Sequence, residues 1–135
     1  LAGIRLGLAF ANSSLISGMM KVKDSYNVNA LSQCMAEQAI LDQEYFKECT
    51  AKIIASRDAT SAALTTLGFD VLTSQTNFLF AIPPINAQLF FDELKKRHIF
   101  VRYFNGGRTA KFVRISIGTD EEMQEFITVT KEILT

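Results

Sequence analysis

The stretch KFVRISIGTDEEM, residues 111–123, sets one arginine inside an apolar run just ahead of a helix start. A charge within a strand costs free energy unless it has a partner or reaches solvent. If residues 112–117 are extended, Phe112, Arg114 and Ser116 share one face and Val113, Ile115 and Ile117 the other. The apolar face belongs to the core. Arg114 then projects from the second face, where a planar guanidinium can grip a carboxylate or phosphate through two parallel hydrogen bonds. A solvated arginine on a half-exposed sheet is the competing reading. Arg102 bears on the choice, because Phe100, Arg102 and Phe104 alternate in the same way and a simple hairpin would set Arg102 beside Arg114. Two adjacent cations repel unless an anion lies between them.

Other residues invite chemistry less clearly. Arg5 lies in LAGIRLG, where the small residues Ala2, Gly3 and Gly7 let the backbone come close to another group; an edge-strand arginine facing solvent is the alternative. His98, the sole histidine, falls at a helix-to-strand junction and reads as a partner of the helix dipole rather than a catalyst. No Cys/His cluster has metal-ligand spacing, so no metal site is expected. Nothing resembles a nucleophile elbow. Asn105-Gly106-Gly107 lacks the flanking residues of a phosphate-binding loop and reads as a turn. Tyr26 and Asn27 are candidates for ligand contact, with a capping or turn role as the default.

The elements that must position these residues follow from periodicity. Ile4, Leu6, Leu8 and Phe10 alternate like a strand before the capping signal Asn12-Ser13-Ser14, and Leu15, Ile16, Met19 and Met20 then recur at helical spacing. A polar connector occupies residues 21–29. Residues 30–67 are helical in period, with an inner stripe of Leu31, Cys34 and Met35, then Tyr45, Phe46, Cys49, Ile53 and Ile54, then Ala62, Ala63 and Leu67. Asn29 caps the start, and Gly68 suits the left-handed position that ends it. The stripe loses phase near Asp42-Gln43, which predicts a bend or two helices. Residues 69–72 and 77–82 read as short strands, the second stopped by Pro83-Pro84. Asn86 caps a short helix whose inner residues are Leu89, Phe90 and Leu94. Residues 99–104 and 111–117 read as an antiparallel pair. Thr119 to Glu122 makes a capping box, and Met123, Phe126, Ile127, Thr130, Ile133 and Leu134 form the inner stripe of the last helix. The expected fold class is α+β, in the order α-β-β-α-β-β-α, with helices on one face of a small mixed or antiparallel sheet.

Composition narrows the partners. At 135 residues, 48% hydrophobic and 21% charged, the chain is about one ordered domain. Fourteen basic and 14 acidic residues give a formal net charge of zero, so no bulk field attracts polyanions or acidic membranes and any anion site must be local. A second reading is a non-catalytic α+β binding module. Phe100, Arg102, Phe104, Phe112 and Arg114 interleave aromatics and cations as RNA-stacking sheets do, but the basic footprint of a nucleic-acid binder is missing. Cys34 and Cys49 would lie roughly 22 Å apart on one continuous helix, too far for a disulfide. They read as free, buried thiols of a cytoplasmic protein. No apolar run approaches the ~20 residues of a membrane span. The chain begins without methionine in the middle of an apolar pattern, which suggests a fragment.

Five segments in order and at their spacing, LAGIRLG, KVKDSYNVNALSQ, SQTNFLF, HIFVRYF and FVRISIGTDEEM, resemble the C-terminal portion of histidinol-phosphate aminotransferases. These are fold-type I enzymes that use pyridoxal phosphate (PLP); amino-acid-phosphate decarboxylases share much of the pattern. The resemblance implies that residues 30–135 form the C-terminal small domain and residues 1–29 a remnant of the large PLP-binding domain with its connector. It implies a homodimer acting on a small amino-acid or phosphate substrate in histidine biosynthesis, with amino transfer between L-histidinol phosphate and 2-oxoglutarate. In such enzymes the arginine matching Arg114 holds the substrate's anionic end, the one matching Arg102 assists with the phosphate, and the one matching Arg5 contacts the phosphate of PLP. The lysine that forms the Schiff base lies a few residues before LAG, upstream of Leu1, and no lysine here stands in a matching context. The chain is therefore expected to hold no catalytic residue and no PLP by itself. Residues 1–20 would pack inside the large domain; alone they are expected to be disordered, refolded onto the small domain or paired with a second copy.

Overall fold

The computed structural model describes residues 2–135; Leu1, the first residue of LAGIRLG, lies outside them. Two compact units divide the chain, the first ending at Glu48 and the second running over Cys49–Thr135.

In the first unit, α1 (Ser13–Val22) and α2 (Ala30–Leu41) begin where the caps require. The Asn12 side chain accepts from the Ser14 N–H, and the Asn29 side chain from the Ser32 N–H. The predicted interruption is real: α2 stops at Leu41, and α3 (Gln43–Thr66) restarts after Asp42. Two expectations fail. Residues 4–10 form no strand; Ala2–Ile4 is a single 3-10 turn, and Arg5 follows at φ 60, outside extended geometry. No described strand pairs with this segment, and an extended chain without a neighbour leaves its N–H and C=O groups to solvent. The inner stripe of α2 also fails. Ser32 and Ala36 are buried, whereas Leu31 is 80% exposed. Cys34 is exposed and Cys49 half-buried; both thiols are free, as spacing predicts, but neither is buried. Helical spacing finds an apolar side, whereas burial needs a second surface against it.

The second unit holds the sheet. Strands β1 (Asp70–Val71), β2 (Phe78–Ile82), β3 (Arg102–Tyr103) and β4 (Val113–Ser116) lie in the order β1-β2-β4-β3, and every neighbouring pair is antiparallel. With α3 ahead, α4 (Ala87–Lys96) between β2 and β3, and α5 (Asp120–Leu134) last, the α+β order is the predicted one. One sheet face supplies Leu79, Ala81, Val113 and Ile115 to a single core, joined by Leu64 of α3, Phe90 and Leu94 of α4, and Met123, Phe126 and Ile127 of α5. All three helices thus cover one face. Phe69 meets Phe90 edge-on at 5.3 Å inside this core. Leu89, expected inward, is 52% exposed; Phe91 takes the inner position and packs on Tyr103.

The turns are built from backbone chemistry. Gly68 adopts φ 87, its N–H bonds Thr65 O, and the Phe69 N–H bonds Leu64 O, a Schellman closure that folds Phe69 back onto the core. The same pair of bonds closes α4, from His98 N to Lys95 O and from Ile99 N to Leu94 O. There His98 occupies the left-handed position at φ 62. His98 therefore sits at the helix C-terminus, as expected, and makes the turn itself. Residues 99–101 lead out of this turn before pairing begins, so β3 is shorter than its predicted span. The capping box at Thr119 and Glu122 is complete in both directions. Among the described residues no helix is long and apolar enough to cross a membrane.

Candidate anion-binding site

The core takes one face of the sheet, and the other carries the cations. Arg102 of β3 pairs directly with Arg114 of β4, which pairs on its other side with Phe80 of β2. Directly opposed residues in a ladder project from the same face. Arg102 and Arg114 are thus neighbours, as the alternation predicts. Arg114 is half-buried and Arg102 exposed.

Aromatic rings wall this face. The Arg114 guanidinium carbon lies 5.4 Å from the Phe78 ring and 6.0 Å from the Phe104 ring, and that of Arg102 lies 5.4 Å from Phe104. Phe80 stacks on Phe112 at 4.4 Å and meets Phe104 edge-on at 6.3 Å. The negative face of each ring attracts a cation without neutralising it. Opposed side chains start about 5 Å apart, where two unit charges repel by roughly 1 kcal/mol in water and about 3 kcal/mol at an effective dielectric of 20. Among the described residues no carboxylate pairs with either arginine. The described ion pairs of arginines are Arg57 with Asp58 and Arg97 with Glu93, and neither Arg102 nor Arg114 has one. Arg114 Nε is buried with no hydrogen-bond partner. A cation pair with a free donor, set in an apolar wall, is an arrangement that a bidentate anion completes. One acid, Asp70 of β1, shares this face opposite Ile82, but it forms no described ion pair with either arginine, and the chemistry of the arginine pair is binding.

Arg5 belongs to the first unit and is exposed in its left-handed turn. No described carboxylate pairs with it, and no atom lies within 4 Å of where a Cβ would stand at Gly3 or Gly7. An unpaired guanidinium between two open glycines fits one contact to a phosphate such as that of PLP. Tyr26 and Asn27 play the default turn role: the Tyr26 N–H bonds Asp24 Oδ1, and Lys23 Nζ donates to Asn27 Oδ1. No group of three or more His, Cys, Asp or Glu among the described residues is arranged to hold a metal.

Sequence reasoning missed Phe78 and Phe80 as walls of the site. FLFAI is apolar at every position and marks no outward face, so only the strand order, with β2 beside β4, brings both rings to Arg114. Phe100, expected on the arginine face, precedes β3 and is 73% exposed. Arg57 was also missed. Its side chain is only 13% exposed, and it donates to Thr76 O, tying α3 to the loop that enters β2.

Residues 1–129 match the family model for aminotransferase class I and II. The chain belongs to this family. It is 44% identical to histidinol-phosphate aminotransferase of Clostridium acetobutylicum over 138 residues, which cover 99% of this chain and 39% of that protein. The corresponding protein of Syntrophotalea carbinolica is 43% identical, over 98% of this chain and 39% of its own. Among solved structures, histidinol-phosphate aminotransferase from Sinorhizobium meliloti, in complex with pyridoxal-5'-phosphate, is 31% identical with a TM-score of 0.65, covering 71% of this chain and 27% of that one. The chain spans about two-fifths of the length of the curated relatives it matches.

Proposed function

We propose that the chain is the C-terminal part of a PLP-dependent aminotransferase that moves an amino group between L-histidinol phosphate and 2-oxoglutarate in histidine biosynthesis. Residues 30–135 form the small domain, and residues 1–29 complete the large one and connect the two. The observation that carries this reading is the direct pairing of Arg102 with Arg114 on one sheet face, with no described carboxylate answering either. The names of the relatives support the substrate.

Each residue has a task that follows from its surroundings. Arg114, half-buried between Phe78 and Phe104, binds the substrate's anionic end where the rings exclude water and strengthen the charge pairing. Arg102, more exposed, adds the second cation that a phosphate dianion needs and a carboxylate does not. Arg5 contacts the phosphate of PLP. When bound, PLP supplies the electron sink and carries the amino group; the lysine that anchors it belongs to the remainder of the enzyme. The whole protein acts as a cytoplasmic homodimer. Exposed apolar side chains such as Phe10, Met20 and Leu31 support burial of the first unit against other parts of that assembly. Nothing in the charge balance favours the nucleic-acid reading.

The test is turnover by the full-length gene product. L-histidinol phosphate with 2-oxoglutarate is expected to react well, and unphosphorylated L-histidinol to react poorly through a raised KM. Equal kcat/KM for the two donors would contradict a phosphate grip.

A further inference from the structure

Phe104 stands apart among the rings of this face. It is the one described aromatic in contact with both guanidiniums, at 5.4 Å from Arg102 and 6.0 Å from Arg114. It follows β3 directly and precedes a loop whose Gly106 and Gly107 take φ 124 and φ 60, so its backbone leaves the sheet just where its ring turns back over it. The ring is fixed from behind. Phe80 meets it edge-on, and Phe80 is itself stacked on Phe112, so β2 and β4 together hold the orientation of a side chain from neither strand. Two like charges on opposed strand positions would otherwise splay apart. The negative π-surface of one ring, in contact with both guanidiniums, offsets that repulsion without consuming the N–H groups that an anion needs.

We infer that Phe104 is a positioning residue: its ring holds Arg102 and Arg114 side by side, at the separation that lets one dianionic phosphate engage both. This rests on the proposed anion-binding role of the arginine pair and adds the device that sets the spacing. A carboxylate engages one guanidinium, so loss of the ring affects a phosphate-bearing substrate more than a carboxylate one. Two ring–cation contacts of ordinary size correspond to roughly a 5- to 30-fold effect on phosphate binding.

The experiment compares Phe104→Leu, Phe104→Met and Phe104→Tyr in the full-length gene product. KM and kcat are measured for L-histidinol phosphate and for L-glutamate, and inorganic phosphate serves as a competing anion. Leucine and methionine fill the volume without a ring face, so either one suffices if the other fails to fold. The expected result is a 5- to 30-fold rise in KM for L-histidinol phosphate and in the inhibition constant of phosphate, with a smaller change for L-glutamate and in kcat. Phe104→Tyr restores both to within about twofold. KM values for the two substrates that move together, a tyrosine variant that fails to rescue, or aliphatic variants within twofold of the parent would each overturn the role of Phe104. Arg114→Ala runs beside them: if it too leaves phosphate binding unchanged, the anion site itself has failed rather than its positioning.

Discussion

Replacing Arg114 with alanine is expected to cost binding and little stability, because the structure separates the two effects. On the stability side, the change removes two ring–cation contacts, worth about 0.5–1 kcal/mol each where partly exposed. It also relieves repulsion from Arg102, roughly 1 to 3 kcal/mol over the range of plausible dielectrics. No ion pair is broken, and Arg114 Nε, buried without an acceptor, disappears with the side chain. These terms nearly cancel, leaving unfolding free energy within about 1 kcal/mol of the parent. On the functional side, a charge-assisted bidentate pair in an apolar wall is lost. That is worth roughly 3 kcal/mol or more, or at least about 100-fold in kcat/KM. The assay pairs urea unfolding of the full-length protein with steady-state kinetics on L-histidinol phosphate. A destabilisation beyond about 2 kcal/mol with unchanged KM would mean that Arg114 is a structural residue, and the reasoning from its missing partner would be wrong.

Arg5→Ala in the same enzyme is expected to weaken PLP retention, read from cofactor absorbance after dialysis, while leaving KM for L-histidinol phosphate close to the parent value. Equal effects of Arg5→Ala and Arg114→Ala on cofactor occupancy would contradict the division of labour. Phe90, fully buried and in edge contact with Phe69, is expected to cost about 3–5 kcal/mol of stability as alanine in chemical denaturation. Gly68→Ala is expected to cost about 1–2 kcal/mol from backbone strain at φ 87. The space there is open enough, with the nearest atom, Pro84 Cβ, 3.7 Å from the new methyl group, so a neutral result in the same titration would mean that the left-handed turn is not held.

The second unit was legible because each of its signals is local and they agree. Asn86, Thr119 and Gly68 mark helix ends through bonds to their own neighbours, and the alternation in FVRISI separates a core face from a second face. Pairing of Arg102 with Arg114 followed once the two strands were antiparallel. What stayed hidden depended on neighbours in space. The place of β2 beside β4 is a long-range fact, and nothing in the all-apolar FLFAI turned Phe78 and Phe80 from the core or set them against Arg114. In the first unit, Leu31, Met35 and Cys34 were read inward from spacing alone and lie exposed, and Ile4, Leu6, Leu8 and Phe10 alternate without a described strand beside them. A period of two or of 3.6 states which residues share a side; it does not supply the surface that covers them.

The most direct measurement is a crystal structure of the full-length gene product with L-histidinol phosphate bound. The phosphate oxygens are expected within hydrogen-bond distance of both Arg102 and Arg114, over the Phe104 ring. A phosphate seated elsewhere, with these two guanidiniums paired to carboxylates from the rest of the enzyme, would contradict the account.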